Sequence, residues 1–325
     1  MGANGEREPK KNVLLTGATG TIGRQVAQTL YHDPNVGRLV CVARDSEPYY
    51  FHDYDRIRFQ FKQLDILKAR ELHNFVLSAL FREASIDTVV HLAFVNRPRD
   101  QGLATHTLNV EGTKNLLYKC IEIGHIRKFV FQSSDAVYKL RPSNPALLDE
   151  EADLNFDHDA SQYVKDRVDA DMICRSQLLN PGVRIIILRP SSIIGRNVHS
   201  RWNALLENHR LIFKVLGFDP MICPIHANDV IRAIQHAVHR DVQGVFNITG
   251  LDWAPLSTFI RLAGANRLSL PALALRAVNG LQQALRLTQY DYDDQPEAMR
   301  HACLLDTTRA RDVLGFTPQY HIKFA

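Results

Sequence analysis

At 325 residues, the chain has room for one large α/β domain with a cap or for two modest domains, and its 45% apolar and 23% charged residues are ordinary for a soluble globular protein. A net charge of +4, without a basic stripe or aromatics interleaved among lysines, excludes a nucleic-acid surface. Five scattered cysteines with no CxxC pair exclude a disulfide framework and a zinc site, and suit a reducing, cytoplasmic location.

Residues 1–11 have no apolar core and read as a disordered, solvated tail rather than a secretory signal; Glu6 also breaks the myristoylation pattern that Met1-Gly2 begins. Beyond the tail, short apolar runs alternate with helical patterns. The spacing predicts strands at Val13–Thr16, Arg38–Ala43, Ile57–Leu64, Thr88–Ala93, Lys128–Ser133 and Arg184–Arg189. Helices are predicted at Ile22–Tyr31, Ala69–Phe81, Leu108–Ile123 and Tyr163–Leu179. Runs that are apolar throughout and joined by helices indicate a parallel sheet covered on both faces: a doubly wound, Rossmann-type α/β fold over residues 12–190. After Pro190 this regularity fades. Residues 191–224 and 251–325 read as a smaller substrate-covering cap, with 225–250 packing back onto the sheet. No run reaches the ~18 apolar residues of a membrane span. The nearest, Leu268–Leu287, is interrupted by Pro271, Arg276, Asn279, Gln282, Gln283 and Arg286; a helix packing its apolar face on the core is preferred over one lying on a membrane.

Between the first strand and first helix stands Thr16-Gly17-Ala18-Thr19-Gly20-Thr21-Ile22-Gly23. If a dinucleotide binds there, Gly17 permits the tight turn, Gly20 lets the backbone approach the pyrophosphate, and Gly23 allows close helix–strand packing. Strand, turn and helix in that order are the context that raises a glycine triplet above an ordinary turn. At the end of the second strand, Arg44 is a cation suited to a 2′-phosphate and favours NADP, while Asp45, one position later, suits the ribose hydroxyls of NAD. Arg24 adds positive charge beside the turn.

Those residues resemble the TGxxGxxG fingerprint of the extended short-chain dehydrogenases/reductases, the NAD-dependent epimerase/dehydratase group. Further segments resemble the family in order: Asp65-Ile66, Asp87 to Ala93, Asn109 to Leu116, Ser133 to Tyr138, Leu188-Arg189-Pro190 with Gly195, and Asp306 to Pro318. The resemblance implies that the Gly17, Thr19, Gly20, Thr21, Ile22 and Gly23 turn holds the pyrophosphate. It places Asp65 and Ile66 at the adenine and Leu92 and Ala93 at the nicotinamide ribose, with Tyr163, Arg167 and Pro190 completing the cofactor contacts.

The same resemblance implies a catalytic set of Ser134, Tyr163 and Arg167. A phenol titrates near ~10 and is a poor base at neutral pH unless a cation beside it favours the phenolate. Four residues after Tyr163 on one helix face, the family has lysine; this chain has Arg167, which can stabilise charge and fork onto hydroxyls but does not release a proton. Ser134 would orient the substrate oxygen, or would satisfy backbone at a strand end; Ser133 is the weaker of the pair. Asp149-Glu150-Glu151 reads as a solvated turn, and Asn228 or Asp229 as a helix cap. The fourteen histidines show no metal-ligand spacing.

Three functions fit this reading. The first is an NAD(P)-dependent oxidoreductase moving a hydride between nicotinamide and a secondary alcohol or ketone. The second is a nucleotide-sugar epimerase or dehydratase, which the absence of an asparagine in Arg189-Pro190-Ser191-Ser192 counts against. The third, favoured by Arg167, is a cofactor-binding sensor or assembly subunit without turnover. The partner is a small-molecule substrate, with room left for a homodimer. Arg196, His199, Arg201, His209, Arg210 and Lys214 in the cap either meet an anionic group on it or face water.

Overall fold

The computed structural model describes residues 9–95, 103–207 and 210–324. In chain order the first half runs β1 (Lys11–Thr16), α1 (Thr21–His32), β2 (Val36–Ala43), β3 (Phe59–Gln63), α2 (Ala69–Val76), α3 (Ala79–Ala84), β4 (Thr88–His91), α4 (Leu103–His106), α5 (Thr113–Ile123), β5 (Lys128–Gln132), α6 (Gln162–Arg175) and β6 (Arg184–Pro190). The second half adds β7 (Ile193–Ile194), α7 (Arg201–Leu206), β8 (Leu211–Val215), β9 (Met221–Ile222), β10 (Ile225–His226), α8 (Ala227–His239), β11 (Gly244–Ile248), β12 (Ala254–Pro255), α9 (Leu256–Leu262), β13 (Asn266–Leu270) and α10 (Ala272–Ala284).

Among the described residues, seven strands form one parallel sheet in the order β11-β6-β5-β4-β1-β2-β3. The fold is Rossmann-like. One face is covered by α1 and α8, whose Val26, Leu30, Val230 and Ile234 meet Val13, Leu15 and Val130 of the strands. The other is covered by α2, α3, α5 and α6, whose Leu72, Phe81, Leu116 and Cys174 meet Leu14, Val89 and Phe129. Alternate residues of each strand thus serve opposite layers, which is why the strands read as unbroken apolar runs. A third cluster joins Val137, Tyr138, Val164 and Val168 to Trp202, Leu205, Phe259, Leu275 and Tyr290, so residues predicted as cap pack against α6 and the segment after β5. No helix among the described residues is long and apolar enough to cross a membrane.

Several expected boundaries move, each for a local reason. Lys11, read as tail, begins β1 and donates its amide to the Asn35 carbonyl. The predicted helix over 69–81 is two helices, because Ser78 caps α3 by accepting from the Phe81 amide. Residues 107–112 form a π-helical segment leading into α5, and β11 is a seventh strand that the sequence reading had not set out as one. Over 268–287 the chain is strand, Pro271 and helix rather than one amphipathic helix.

Candidate active site

β1 and β4 are neighbours whose following helices leave for opposite faces of the sheet, opening a crevice beyond their carboxyl ends. Backbone from the two strands meets there. Gly17 has φ +73°, and a Cβ on it would lie 2.7 Å from the Ala93 nitrogen. At Gly23 a Cβ would come 2.0 Å from the Gly17 carbonyl oxygen, so α1 seats directly against the turn. Gly20 caps α1 without a side chain and the first turn holds no carboxylate, leaving the leading amides open to an anion. That opening fits a dinucleotide pyrophosphate.

Gly17, Thr19, Gly20, Arg44, Asp45, Asp65, Ile66, Leu92, Ala93 and Phe94 line one cleft of about 180 Å³. Thr21, Ile22 and Gly23 do not line it: the Thr21 hydroxyl donates to the Asn197 carbonyl at 2.8 Å, and Ile22 packs toward the core under α1. The Thr19 hydroxyl donates to Asp45 at 2.9 Å. Arg44 is exposed and its guanidinium has no protein partner among the described residues, whereas Arg24, expected to add charge to the turn, lies 4.1 Å over the Tyr50 ring. One Asp65 oxygen accepts the Leu67 amide at 3.1 Å.

Ser134, Tyr163, Arg167 and Pro190 line a second, adjoining pocket together with Gln132, His199 and Arg201. Ser161 starts α6 by accepting the Val164 amide, which sets Tyr163 and Arg167 one turn apart on the same face. Arg167 is buried, lies 3.8 Å above the Phe94 ring and sits 5.8 Å from the Tyr163 ring. Burial depresses its guanidinium below the usual arginine value, and the Tyr163 oxygen, Asp135 and Asp166 oppose that effect. Its Nε has no partner, nor do Gln132 Oε1 and Arg201 Nη1, so three buried polar atoms of residues around this pocket are unsatisfied. Ser134 caps a short 3₁₀ turn, accepting the Ala136 amide and donating to Asp135 at 3.1 Å. The structure thus gives it the local backbone role while leaving it on the pocket wall.

A buried network holds α6 in place. Arg189 grips Asp171 with two hydrogen bonds, 3.0 and 2.6 Å, and donates to Tyr138 Oη at 3.0 Å; Ser133 donates to Asp171 at 2.5 Å. Tyr138 donates in turn to Asn247 of β11. Burial pushes the Tyr138 phenol up to about 12, with Arg189 opposing, so it stays protonated. A second clamp lies at Asp166, which accepts from Gln162 at 2.6 Å and Asn109 at 3.3 Å and pairs with His106 at 2.6 Å; Asn109 also accepts the Val95 amide. It ties α6 to the chain leaving β4, where Phe94 sits.

Other readings need correction. Glu150 is buried rather than solvated, accepting the Asn247 amide, and burial raises its carboxyl above the usual range. His226 caps α8, while Asp229 receives the Gln319 and Tyr320 amides of the chain end. Of the cap cations, Arg196 and Arg210 are exposed, Lys214 pairs with Asp219, and His209 lies outside the described residues; His199 and Arg201 reach the pocket. The sequence reading missed Phe94, Asp166, His106 and Gln162. The arginine at 167 was a signal for Phe94, since a buried guanidinium needs a flat partner.

The sequence model of the NAD dependent epimerase/dehydratase family matches residues 13–249. The chain belongs to this family. An uncharacterized protein of Mycobacterium tuberculosis is 26% identical over 95% of this chain and 81% of its own length. An Escherichia coli O157:H7 protein named N-acetyl-alpha-D-glucosaminyl-diphospho-ditrans,octacis-undecaprenol 4-epimerase is 30% identical over 60% of this chain and 53% of its own length. Among solved structures, UDP-glucuronic acid 4-epimerase from Bacillus cereus, in complex with NAD, superposes with a TM-score of 0.69 at 20% identity, covering 95% of this chain and 94% of that one. The dTDP-glucose 4,6-dehydratase of Bacillus anthracis, also with NAD, gives 0.70 at 17% identity over 95% and 92%. These neighbours share the epimerase/dehydratase fold of this family member.

Proposed function

We propose that this family member binds a nicotinamide dinucleotide along the two adjoining pockets and acts on a secondary alcohol or ketone of an anionic, sugar-nucleotide-like substrate as an epimerase or dehydratase. The observation that carries the reading is the buried Arg167 guanidinium beside Tyr163, 5.8 Å from the phenol ring, at a pocket whose wall also holds Ser134 and the unsatisfied Nη1 of Arg201. A bound nicotinamide supplies hydride acceptance and donation. Tyr163 takes or gives the proton at the substrate oxygen, and Ser134 orients that oxygen by hydrogen bonding. Arg167 faces the phenol oxygen with positive charge and releases no proton. Arg201, held by Gln295 and facing Asp135 at 3.9 Å, offers its free donor to a phosphate or carboxylate.

The named relatives act on sugar nucleotides or a sugar diphospho-lipid, which supports placing epimerase or dehydratase chemistry ahead of net oxidoreduction. Net oxidoreduction is the second reading, favoured by Ser192 in the segment where the asparagine is absent. Incubation with a panel of UDP- and dTDP-sugars distinguishes them. An isomerised or dehydrated sugar without lasting change in nicotinamide absorbance supports the first, and a stoichiometric absorbance change the second. Cofactor binding without either reaction favours a sensor.

For the cofactor, the free Arg44 supports NADP, whereas Asp45 at the cleft and the NAD-bound neighbours support NAD. We place NADP first. A charge-assisted contact to the 2′-phosphate contributes about 1.5–3 kcal/mol, so Arg44→Ala should weaken NADP about tenfold to a hundredfold and leave NAD unchanged. Tighter NAD binding that survives Arg44→Ala but not Asp45→Ala would reverse the assignment.

A further inference from the structure

A cavity of about 470 Å³ lies beside the candidate active site rather than within it, larger than the cofactor cleft and in the range that holds a small-molecule ligand. Ser161 and Val164, near the start of α6, line it together with residues 292–297 and the start of α10. Ser161 donates its hydroxyl to the Asp294 carbonyl at 2.6 Å, which ties α6 to the 292–297 segment. Asp294 also borders the pocket of Tyr163 and Arg201, so the two spaces are neighbours.

The lining carries five carboxylates, Asp157, Asp159, Asp293, Asp294 and Glu297, against three cations, Lys139, Arg276 and Arg300. Two pairs form within it, Lys139 with Asp157 and Arg276 with Asp293, both at 2.6 Å. Asp159 and Glu297 have no cationic partner among the described residues, and Arg300 has no carboxylate partner. The lining thus holds an excess of negative charge, in a chain whose net charge is +4. Carboxylates alone would mark a solvated surface, but Tyr292 does not fit that reading. It belongs to the same lining, is 3% exposed, and its hydroxyl has no hydrogen-bond partner. Asn279 fixes its backbone by accepting the Tyr292 amide at 2.9 Å, and the phenol oxygen is near enough to Arg276, also in the lining, to act on that guanidinium electrostatically. A hydroxyl stripped of water and left unpaired is costly, and a ligand donor entering the cavity supplies the missing partner.

The lining also selects the kind of donor. Leu140, Val164, Ala272 and Leu273 offer aliphatic surface alongside the charges. Tyr292 is the only aromatic residue described in the lining and is buried, so no face is offered to a nucleobase and no cage to a quaternary ammonium. Among the described residues no cluster of carboxylates is arranged to hold a metal ion. What remains is a chain of methylenes carrying ammonium groups. We propose that this cavity binds an aliphatic polyamine, with its ammonium groups at Asp159 and Glu297 and an N–H donor at the Tyr292 hydroxyl. The inference stands on the cavity alone and does not depend on the reaction proposed above.

The test is calorimetric titration of the full chain with spermidine at low and high salt, with a neutral aliphatic diol of similar length as the control. The parent should bind spermidine saturably, lose affinity as salt rises, and ignore the diol. Asp159→Asn and Glu297→Gln should each weaken binding about fivefold, and the two together more than about tenfold. Tyr292→Phe, which removes the unpaired oxygen and keeps the ring, should weaken it about threefold or more. Arg300→Gln should tighten binding about threefold by removing an unpaired cation, an effect that damage to the fold would not produce. Melting temperatures measured alongside show that the variants remain folded. No saturable binding by the parent overturns the proposal, as does binding that the Asp159 and Glu297 pair or Tyr292→Phe leaves intact. Weaker rather than tighter binding in Arg300→Gln overturns it in favour of a zwitterion whose carboxylate Arg300 holds.

Discussion

Replacing Arg167 by the lysine found at this point elsewhere in the family should reduce function rather than restore it. The guanidinium is buried, stacked 3.8 Å over Phe94 and 5.8 Å from the Tyr163 ring. A desolvated cation–π stack contributes about 2 kcal/mol. An ammonium keeps the charge but has no flat face to lay on the ring, and its stronger hydration makes burial costlier. Loss of the stack alone predicts a fall in kcat/KM of about thirtyfold for Arg167→Lys, at ~1.4 kcal/mol per tenfold. Arg167→Ala also removes the positive charge that faces the phenol, for a fall of about a hundredfold or more. Phe94→Leu should approach the lysine value, and adding Arg167→Lys to it should cost little further, since both remove one contact. The assay is kcat/KM on a substrate identified from the sugar panel, with cofactor affinity and melting temperature measured alongside. An Arg167→Lys protein as active and as stable as the parent would refute the assignment of the stack.

Gly20→Val should abolish dinucleotide binding by calorimetry while circular dichroism stays native, because a Cβ there meets only the Gly17 oxygen at 3.3 Å. Gly23→Val should fail to fold, and a soluble, native-like variant would contradict the close seating of α1. Asp171→Ala leaves Arg189 charged and buried without its partner, a cost of about 3–5 kcal/mol. Calorimetric melting checks it, and a loss below about 1 kcal/mol would count against the network. Burial works to raise the Asp33 carboxyl, but hydrogen bonds from Gln235, the Asn35 amide and His239 outweigh it and hold it below the usual aspartate range. Because the folded value is the lower one, its contribution is fully present above the unfolded value near ~3.9 and fades as pH falls through the folded value. Asp33→Asn should therefore lower the melting temperature at neutral pH and flatten its decline in acid; parallel acid limbs would show that Asp33 is not responsible.

What the sequence made legible follows from how local each cause is. The parallel sheet was readable because strands covered on both faces must be apolar at every position, and the glycine turn because φ +73° at Gly17 and the contact at Gly23 leave room for nothing else. The Tyr163–Arg167 pairing was readable because four residues make one helical turn. What escaped depended on distant partners. Phe94 lies 73 positions before Arg167 in the chain, Asp166 is buried because Asn109 and His106 come to it, and Glu150 because Asn247 does.

The motifs that identify this family do two different jobs, and the geometry separates them. Ser133, Tyr138 and Arg189, all from segments that resemble the family, are spent on the buried lattice with Asp171 and Asn247. None of their polar groups needs a substrate in order to be satisfied. A protein that had lost its chemistry would still need them to keep α6 against β6, so their presence argues for the scaffold and says little about turnover. The residues that carry the functional argument are those whose polar atoms lack protein partners around the pocket: Arg167 at Nε, Arg201 at Nη1 and Gln132 at Oε1. A buried donor or acceptor left unpaired costs about 1–3 kcal/mol. Under the proposed function, bound cofactor and substrate would pair these atoms and recover the cost, whereas a cofactor-binding sensor would pair only those that meet the cofactor.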